Sequence, residues 1–367
     1  MIKLHTINVF LENKTLGHYY EYLCCIIDSA KRNNWKIVNY IPTHVNINDD
    51  YIWIKNLYKH SYINNFYNKF LYPIKNFIPF YKIFKSFKNN LHENIVLVDN
   101  FSIGQLITIF FATFTSNSKF KLWLILRYDP LKRLFKGNLH RIIFYLFYKM
   151  LKIPVTPFVD SELLQENYSQ FSKINTYILP IPHTRGLIHP TEPPKNYINC
   201  FWPGIMRQGK GLEKIILLHK KILEKKANIK INLCETTKNQ FNYKNEQLNF
   251  TCFHMDRKTY CKLIREANVV LLPYSSQEYF SRSSGIFVEA IYAGKIVLTT
   301  TNTWMAFELK KYNLFELIFN WESEAVVENM LEIINDKKMK KKLSIMMYNY
   351  RKYHSIKNYA SILKTHI

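Results

Sequence analysis

The segment Val269–Thr300 constrains this chain more than any other. Val269-Val-Leu-Leu272 is an unbroken apolar run, the pattern of a strand buried on both faces. The polar stretch Ser281-Arg-Ser-Ser-Gly285 follows it. Ile286, Phe287, Ala290 and Ile291 then recur at the spacing of one helix face. Gly294 suits the left-handed position that ends a helix, and Ile296-Val-Leu298 reads as a second buried strand. Strand, loop, helix, glycine and strand in that order make a parallel βαβ unit. Its loop lies at the carboxyl ends of the strands, where open α/β sheets bind ligands. Backbone N–H groups at Ser283, Ser284, Gly285 and Ile286, with the positive end of the helix dipole behind them, suit an anion such as phosphate. Glu289 falls one turn into the helix, where a carboxylate can meet sugar hydroxyls. The plainer alternative is an ordinary βαβ unit with a serine cap.

A second stretch adds to this. Phe201-Trp-Pro-Gly204-Ile-Met-Arg207-Gln-Gly-Lys210-Gly211 reads as a strand and a loop leading into a helix. Glycine lets the backbone approach a ligand closely, and two cations can hold a diphosphate. The pattern Gly-x-x-Arg-x-x-Lys-Gly, followed by Ser-Ser-Gly-x-x-x-Glu-Ala-x-x-x-Gly-Lys, resembles the nucleotide-sugar half of GT-B glycosyltransferases, most of all the retaining family 4.

Bulk properties set the frame. A chain of 367 residues exceeds one typical core, and a 48% hydrophobic share can fill two. The six cysteines show no Cys-x-x-Cys pair or zinc spacing, which suggests reduced, buried thiols. The N-terminus lacks a signal-peptide layout and reads as a first strand. The most apolar runs, 106–114 and 142–151, are too short to span a bilayer. The expected location is cytoplasmic, either soluble or peripheral on the inner face of the cytoplasmic membrane.

The net charge of +24 is unevenly spread. Residues 51–90 hold seven lysines and thirteen aromatics without a carboxylate, and residues 131–152 hold six Lys and Arg, again without one. Such segments suit an anionic membrane surface. Nucleic acid is the weaker alternative. A solvated lysine face over an aromatic core, swollen by codon bias, is the third reading.

Along the first half, strands are expected at 3–10, 36–40, 94–99, 121–126, 155–159 and 177–180, with helices at 19–33, 139–151 and 162–171. Residues 46–90 read as irregular or helical. The prolines of 180–196 read as a linker, after which strands recur at 199–202, 230–235, 248–253, 269–272 and 296–299. The fold class is α/β, two Rossmann-like domains.

The resemblance implies further detail. The two domains would face a central cleft as in GT-B enzymes. Residues 1–185 would bind the acceptor, residues 186–354 the nucleotide sugar, and 355–367 would form a helix crossing back to the first domain. Gly17 and His18 resemble the glycine loop after the first strand, with His18 a catalytic candidate beside Arg207 and Lys210. Gly17, Gly204, Arg207, Lys210, Tyr274, Ser283, Ser284, Gly285, Ile286 and Glu289 would bind the donor, and Arg127 and Asp129 the acceptor. An ion pair between Arg127 and Asp129, or with a neighbour, is the rival reading of those two. There are two departures from the family pattern. Ser281 stands where the first of two glutamates is usual, with Glu278 three residues early, and Gly17 stands alone where many relatives have a pair.

The expected enzyme is a glycosyltransferase. It would move a sugar from a nucleotide diphosphate sugar to a cell-surface glycan precursor, lipid-linked or not. The chain has no Asp-x-Asp, the metal-holding signature of GT-A enzymes. Arg207, Lys210 and the helix N-terminus can stabilise the leaving group instead, so no metal and no cofactor are expected. The alternatives are a nucleotide-sugar epimerase or hydrolase of the same fold, and a non-enzymatic basic nucleic-acid-binding or scaffold protein.

Overall fold

The computed structural model describes residues 2–367 apart from 12–17, 48–50, 59–73, 90–91, 128, 132–133, 189–191, 195, 205–206, 208, 242–245 and 254. The side chains of 18 and 134–137 also fall outside the described atoms. The chain divides into two compact units, one of Met1–Pro180 with Ile356–Ile367, the other of Ile181–Ser355.

The first unit is built on seven parallel strands: β1 (Ile2–Ile7), β2 (Lys36–Pro42), β3 (Trp53–Leu57), β4 (Glu93–Val98), β5 (Lys121–Ile125), β6 (Val155–Val159) and β7 (Tyr177–Ile178). Their spatial order is β3-β2-β1-β4-β5-β6-β7. Alternate side chains supply two cores, because successive residues of a strand face opposite ways. Val96, Val98, Leu122 and Leu124 pack under Phe80, Phe84, Leu106, Ile109 and Phe147 on one face. Leu4, Ile95, Leu97 and Trp123 pack under Ile26, Ala30, Tyr359 and Leu363 on the other. The C-terminal helix Ile356–Thr365 therefore completes the first unit, and Asn33 Nδ2 donates to the Ala360 carbonyl at 2.8 Å.

Strand β3 corrects the reading of 46–90 as irregular or helical. Trp53-Ile-Lys-Asn-Leu57 has no apolar alternation, but it pairs in parallel with β2 at the sheet edge, where Lys55 stays exposed. The rest of the described segment carries the helix Phe77–Lys85. The helix expected at 139–151 begins at Leu134. The helix expected to reach Phe171 ends as an α-helix at Asn167, continues as a π-turn over Tyr168–Ser172, and stops at Lys173 in the left-handed region. Ser102 closes a capping box with Gln105 at the start of the helix Ile103–Ser116. Five cysteines are buried, but Cys252 is exposed, so its expected burial is not met. Among the described residues no helix is long and apolar enough to cross a membrane.

The second unit repeats the plan with five parallel strands: β8 (Ile198–Phe201), β9 (Ile229–Cys234), β10 (Leu248–Thr251), β11 (Val269–Leu272) and β12 (Ile296–Thr299). Their order is β10-β9-β8-β11-β12. The winding direction reverses between β8 and β11. Ligands of open α/β sheets bind at such a switch point, outside the carboxyl ends of the strands.

Candidate donor-binding site

The loops after β8 and β11 meet at this edge. Ser275 N–H donates to the Gly209 carbonyl at 3.0 Å, and Trp202 Nε1 donates to the Lys210 carbonyl at 3.3 Å. Two glycines make the close approach possible. Gly211 sits at φ +73°, and a Cβ there would lie 2.0 Å from the Pro273 carbonyl oxygen. A Cβ on Gly204 would lie 2.2 Å from the Trp202 ring. No side chain fits at either place.

This packing aims Lys210 at two rings. Its Nζ lies 3.8 Å from the centre of Tyr274 and 5.1 Å from that of Tyr279, and the two rings are 4.5 Å apart. Arg282 stands 5.3 Å over Tyr279. Burial, then Arg282, then Arg207 push the Lys210 ammonium well below the usual lysine range. Three cations thus crowd one spot, with the exposed Glu278 chain against Gly209 as the acidic neighbour. Such an arrangement is poised for an anion that relieves the repulsion. Arg282 directly precedes Ser283 and so links the cluster to the helix Gly285–Tyr292. Ser284 caps that helix by accepting from Phe287 N–H at 3.3 Å. Gly294 ends it at φ +72°.

Glu289 is placed differently from its expected part in holding a ribose. It is fully buried, and its carboxylate is engaged by side chains of its own unit. Arg257 donates to Oε1 at 2.5 Å, His183 Nδ1 donates to the same oxygen at 3.0 Å, and the Tyr260 hydroxyl donates to Oε2 at 2.7 Å. Arg257 also donates to the carbonyls of His183 and Arg185 at 2.9 and 3.0 Å. The start of the proline-rich stretch is therefore no open linker. Ile181, His183, Thr184 and Leu187 are buried in the second unit, and His354 accepts from Ile181 N–H at 3.0 Å.

In the first unit Arg127 and Asp129 do not pair with each other. Arg127 binds Asp99 at 2.5 Å and Asp160 at 3.5 Å, with its guanidinium 4.0 Å over Tyr22. Burial opposes its charge most strongly, but Asp99, Tyr22 and Asp160 outweigh it and raise its pKa well above the ordinary value. Asp129 accepts from Leu131 N–H at 2.9 Å and from Asn167 at 3.1 Å. The rival reading of an ion pair with a neighbour is what Arg127 shows. Gly17 lies outside the described residues. His18 opens the helix His18–Arg32, but its side chain is not described. Sequence reasoning missed Arg282 and Tyr279, although a cation beside capping serines was a usable signal. His183, Arg257 and Tyr260 carried none, being far from Glu289 in the chain.

The two units, each a Rossmann-like parallel sheet with helices on its faces, have the fold of GT-B glycosyltransferases. The trehalose-6-phosphate synthase OtsA superposes with a TM-score of 0.66 at 12% identity, covering 99% of this chain and 98% of that one. Anabaena HepE, solved with UDP-glucose, gives 0.64 at 11% identity over 100% of both chains. An α,α-trehalose-phosphate synthase (UDP-forming) from Burkholderia xenovorans, solved with glucose-6-phosphate, gives 0.66 at 10% identity over 100% of this chain and 99% of that one. No protein-family model and no curated protein matches the chain.

Proposed function

We propose that this protein is a glycosyltransferase that moves a sugar from a nucleotide diphosphate sugar to a cell-surface glycan precursor. One observation carries the reading: at the switch point of the second sheet Lys210 stands over Tyr274 and Tyr279, Arg282 stands over Tyr279, and Arg207 is near enough to oppose the Lys210 charge. An acceptor hydroxyl attacks the anomeric carbon, the bond from that carbon to the diphosphate oxygen breaks, the nucleotide diphosphate leaves with the extra charge, and the hydroxyl proton passes to the departing diphosphate or to water. Fixed cations and the N–H groups at Gly285 and Ile286 stabilise that charge as it forms. HepE, solved with UDP-glucose, shares the fold, which supports the reading.

A thermal-shift screen of nucleoside diphosphates and their sugars tests this. A true donor at about a hundredfold its Kd stabilises the native state by about 2.7 kcal/mol. No shift with any nucleoside diphosphate sinks the reading. Sugar release without an acceptor makes the protein a hydrolase instead.

The leaving group is served by side-chain and backbone charge, so transfer is expected to continue in EDTA. Turnover abolished by the chelator and restored by magnesium or manganese overturns that part of the mechanism.

A further inference from the structure

Three helices, Phe77–Lys85, Ile103–Ser116 and Leu134–Leu151, cover one face of the first sheet side by side. Their inward stripes hold Phe80, Phe84, Leu106, Ile109, Ile143 and Phe147. Their outward stripes are also apolar. Phe111 and Phe114 are 52% and 56% exposed, Ile78 is 61%, and Ile142, Tyr145 and Tyr148 are 54%, 59% and 64%. Each of these residues is thus more than half exposed, at positions where the outer stripe of a surface helix ordinarily carries polar and charged side chains. The positions recur at helical spacing on neighbouring helices of one layer, so they form a single face.

The charge around that face has one sign. Lys82, Lys85, Arg141 and Lys149 are exposed on the same helices, none of which contains an Asp or Glu. Residues 51–159 hold sixteen Lys and Arg against three carboxylates, Glu93, Asp99 and Asp129. Those three are engaged elsewhere: Glu93 with Lys121, Asp99 with Arg127, and Asp129 with Leu131 N–H and Asn167. Lys149 lies 6.0 Å from the Tyr145 ring and Lys85 5.5 Å from the Tyr81 ring, so cations and aromatics interleave.

We infer that this face docks on an anionic lipid bilayer. Phe111, Phe114, Ile142 and Tyr148 settle at the headgroup–acyl boundary, while Lys82, Lys85, Arg141 and Lys149 meet lipid phosphates. A protein partner would need matching carboxylates at many separate points, whereas a bilayer supplies negative charge across the whole surface. The inference joins the two expected segments, 51–90 and 131–152, through the helix Ile103–Ser116 into one three-helix face. It stands on the first unit and does not depend on the transferase reading.

The test is sedimentation of the full chain with vesicles of phosphatidylcholine alone or mixed equally with phosphatidylglycerol. Two variants are run beside it: Phe111→Ser with Phe114→Ser and Tyr148→Ser, and Lys82→Gln with Lys85→Gln, Arg141→Gln and Lys149→Gln. All these side chains are exposed, and an unchanged unfolding midpoint and circular-dichroism spectrum confirm that each variant is folded. The expected result is binding to the anionic vesicles only, weakened by salt, and reduced roughly tenfold or more in each variant. Equal recovery with both vesicle types at low salt overturns the inference, as does binding unchanged in both variants. So does a dimer, or binding to single-stranded RNA, that the same substitutions abolish in the absence of vesicle binding.

Discussion

Lys210→Ala is expected to weaken binding of nucleoside diphosphate tenfold or more, while the protein stays folded. The lost contact is a charge-assisted one, worth roughly 1.5–3 kcal/mol. In the free protein the same ammonium is a burden. Burial, Arg282 and Arg207 push its pKa down, so below the ordinary lysine pKa its charge costs stability, and that cost lifts as pH rises. The variant should therefore be at least as stable as the parent at neutral pH. Binding reverses the balance, because a diphosphate beside Nζ restores the ammonium. Between the depressed and the ordinary pKa, binding takes up a proton, and affinity falls as pH climbs. Titration calorimetry in buffers of different ionisation enthalpy reads that uptake against the variant, which cancels the nucleotide's own proton. A variant that binds as tightly as the parent, with the same proton uptake, removes Lys210 from the site.

Truncating Glu289 is expected to act on stability first. The carboxylate holds Arg257, His183 and Tyr260, and Arg257 in turn holds two carbonyls of the 183–185 strap. Removing one partner of a buried ion pair costs about 3–5 kcal/mol, because the other charge stays behind. For a unit of this size that is on the order of 10 °C in the unfolding midpoint. Glu289→Gln keeps two acceptor sites on its carbonyl oxygen but loses the charge that Arg257 needs, and should fall in between. The pair of variants also separates two roles. Glu289→Gln with parental stability and much weaker nucleotide binding would return the carboxylate to a ligand role.

The contrast between these residues shows what was readable beforehand. The strands Val155–Val159, Val269–Leu272 and Ile296–Thr299 have the expected bounds, the last two because their apolar runs mark them. Trp53–Leu57 does not look like a strand in sequence, since an edge strand with Lys55 and Asn56 has no apolar alternation to display. Gly204, Arg207, Lys210 and Gly211 stood out because their role is local: one loop, dense in glycine and cation. Arg282 did not stand out because the cation it meets, Lys210, comes from a loop some seventy residues earlier in the chain.

What the sequence determined by itself is therefore the set of properties that local pattern carries. Apolar periodicity specified parallel strands and helices in alternation, and glycines at forced backbone positions marked the loop of the proposed donor site. The tertiary structure decided which polar groups are spent inside the protein and which remain for chemistry. Glu289 is buried by residues 183, 257 and 260, and Arg127 is tied to Asp99 and Asp160. Neither pairing leaves a trace in sequence spacing, because a buried charge takes its partners from whatever the fold brings within hydrogen-bond reach. The same packing left Phe111, Phe114 and Tyr148 outside the core. Their hydrophobicity alone would have put them inside, but the sheet beneath that helix layer can bury only one stripe of each helix.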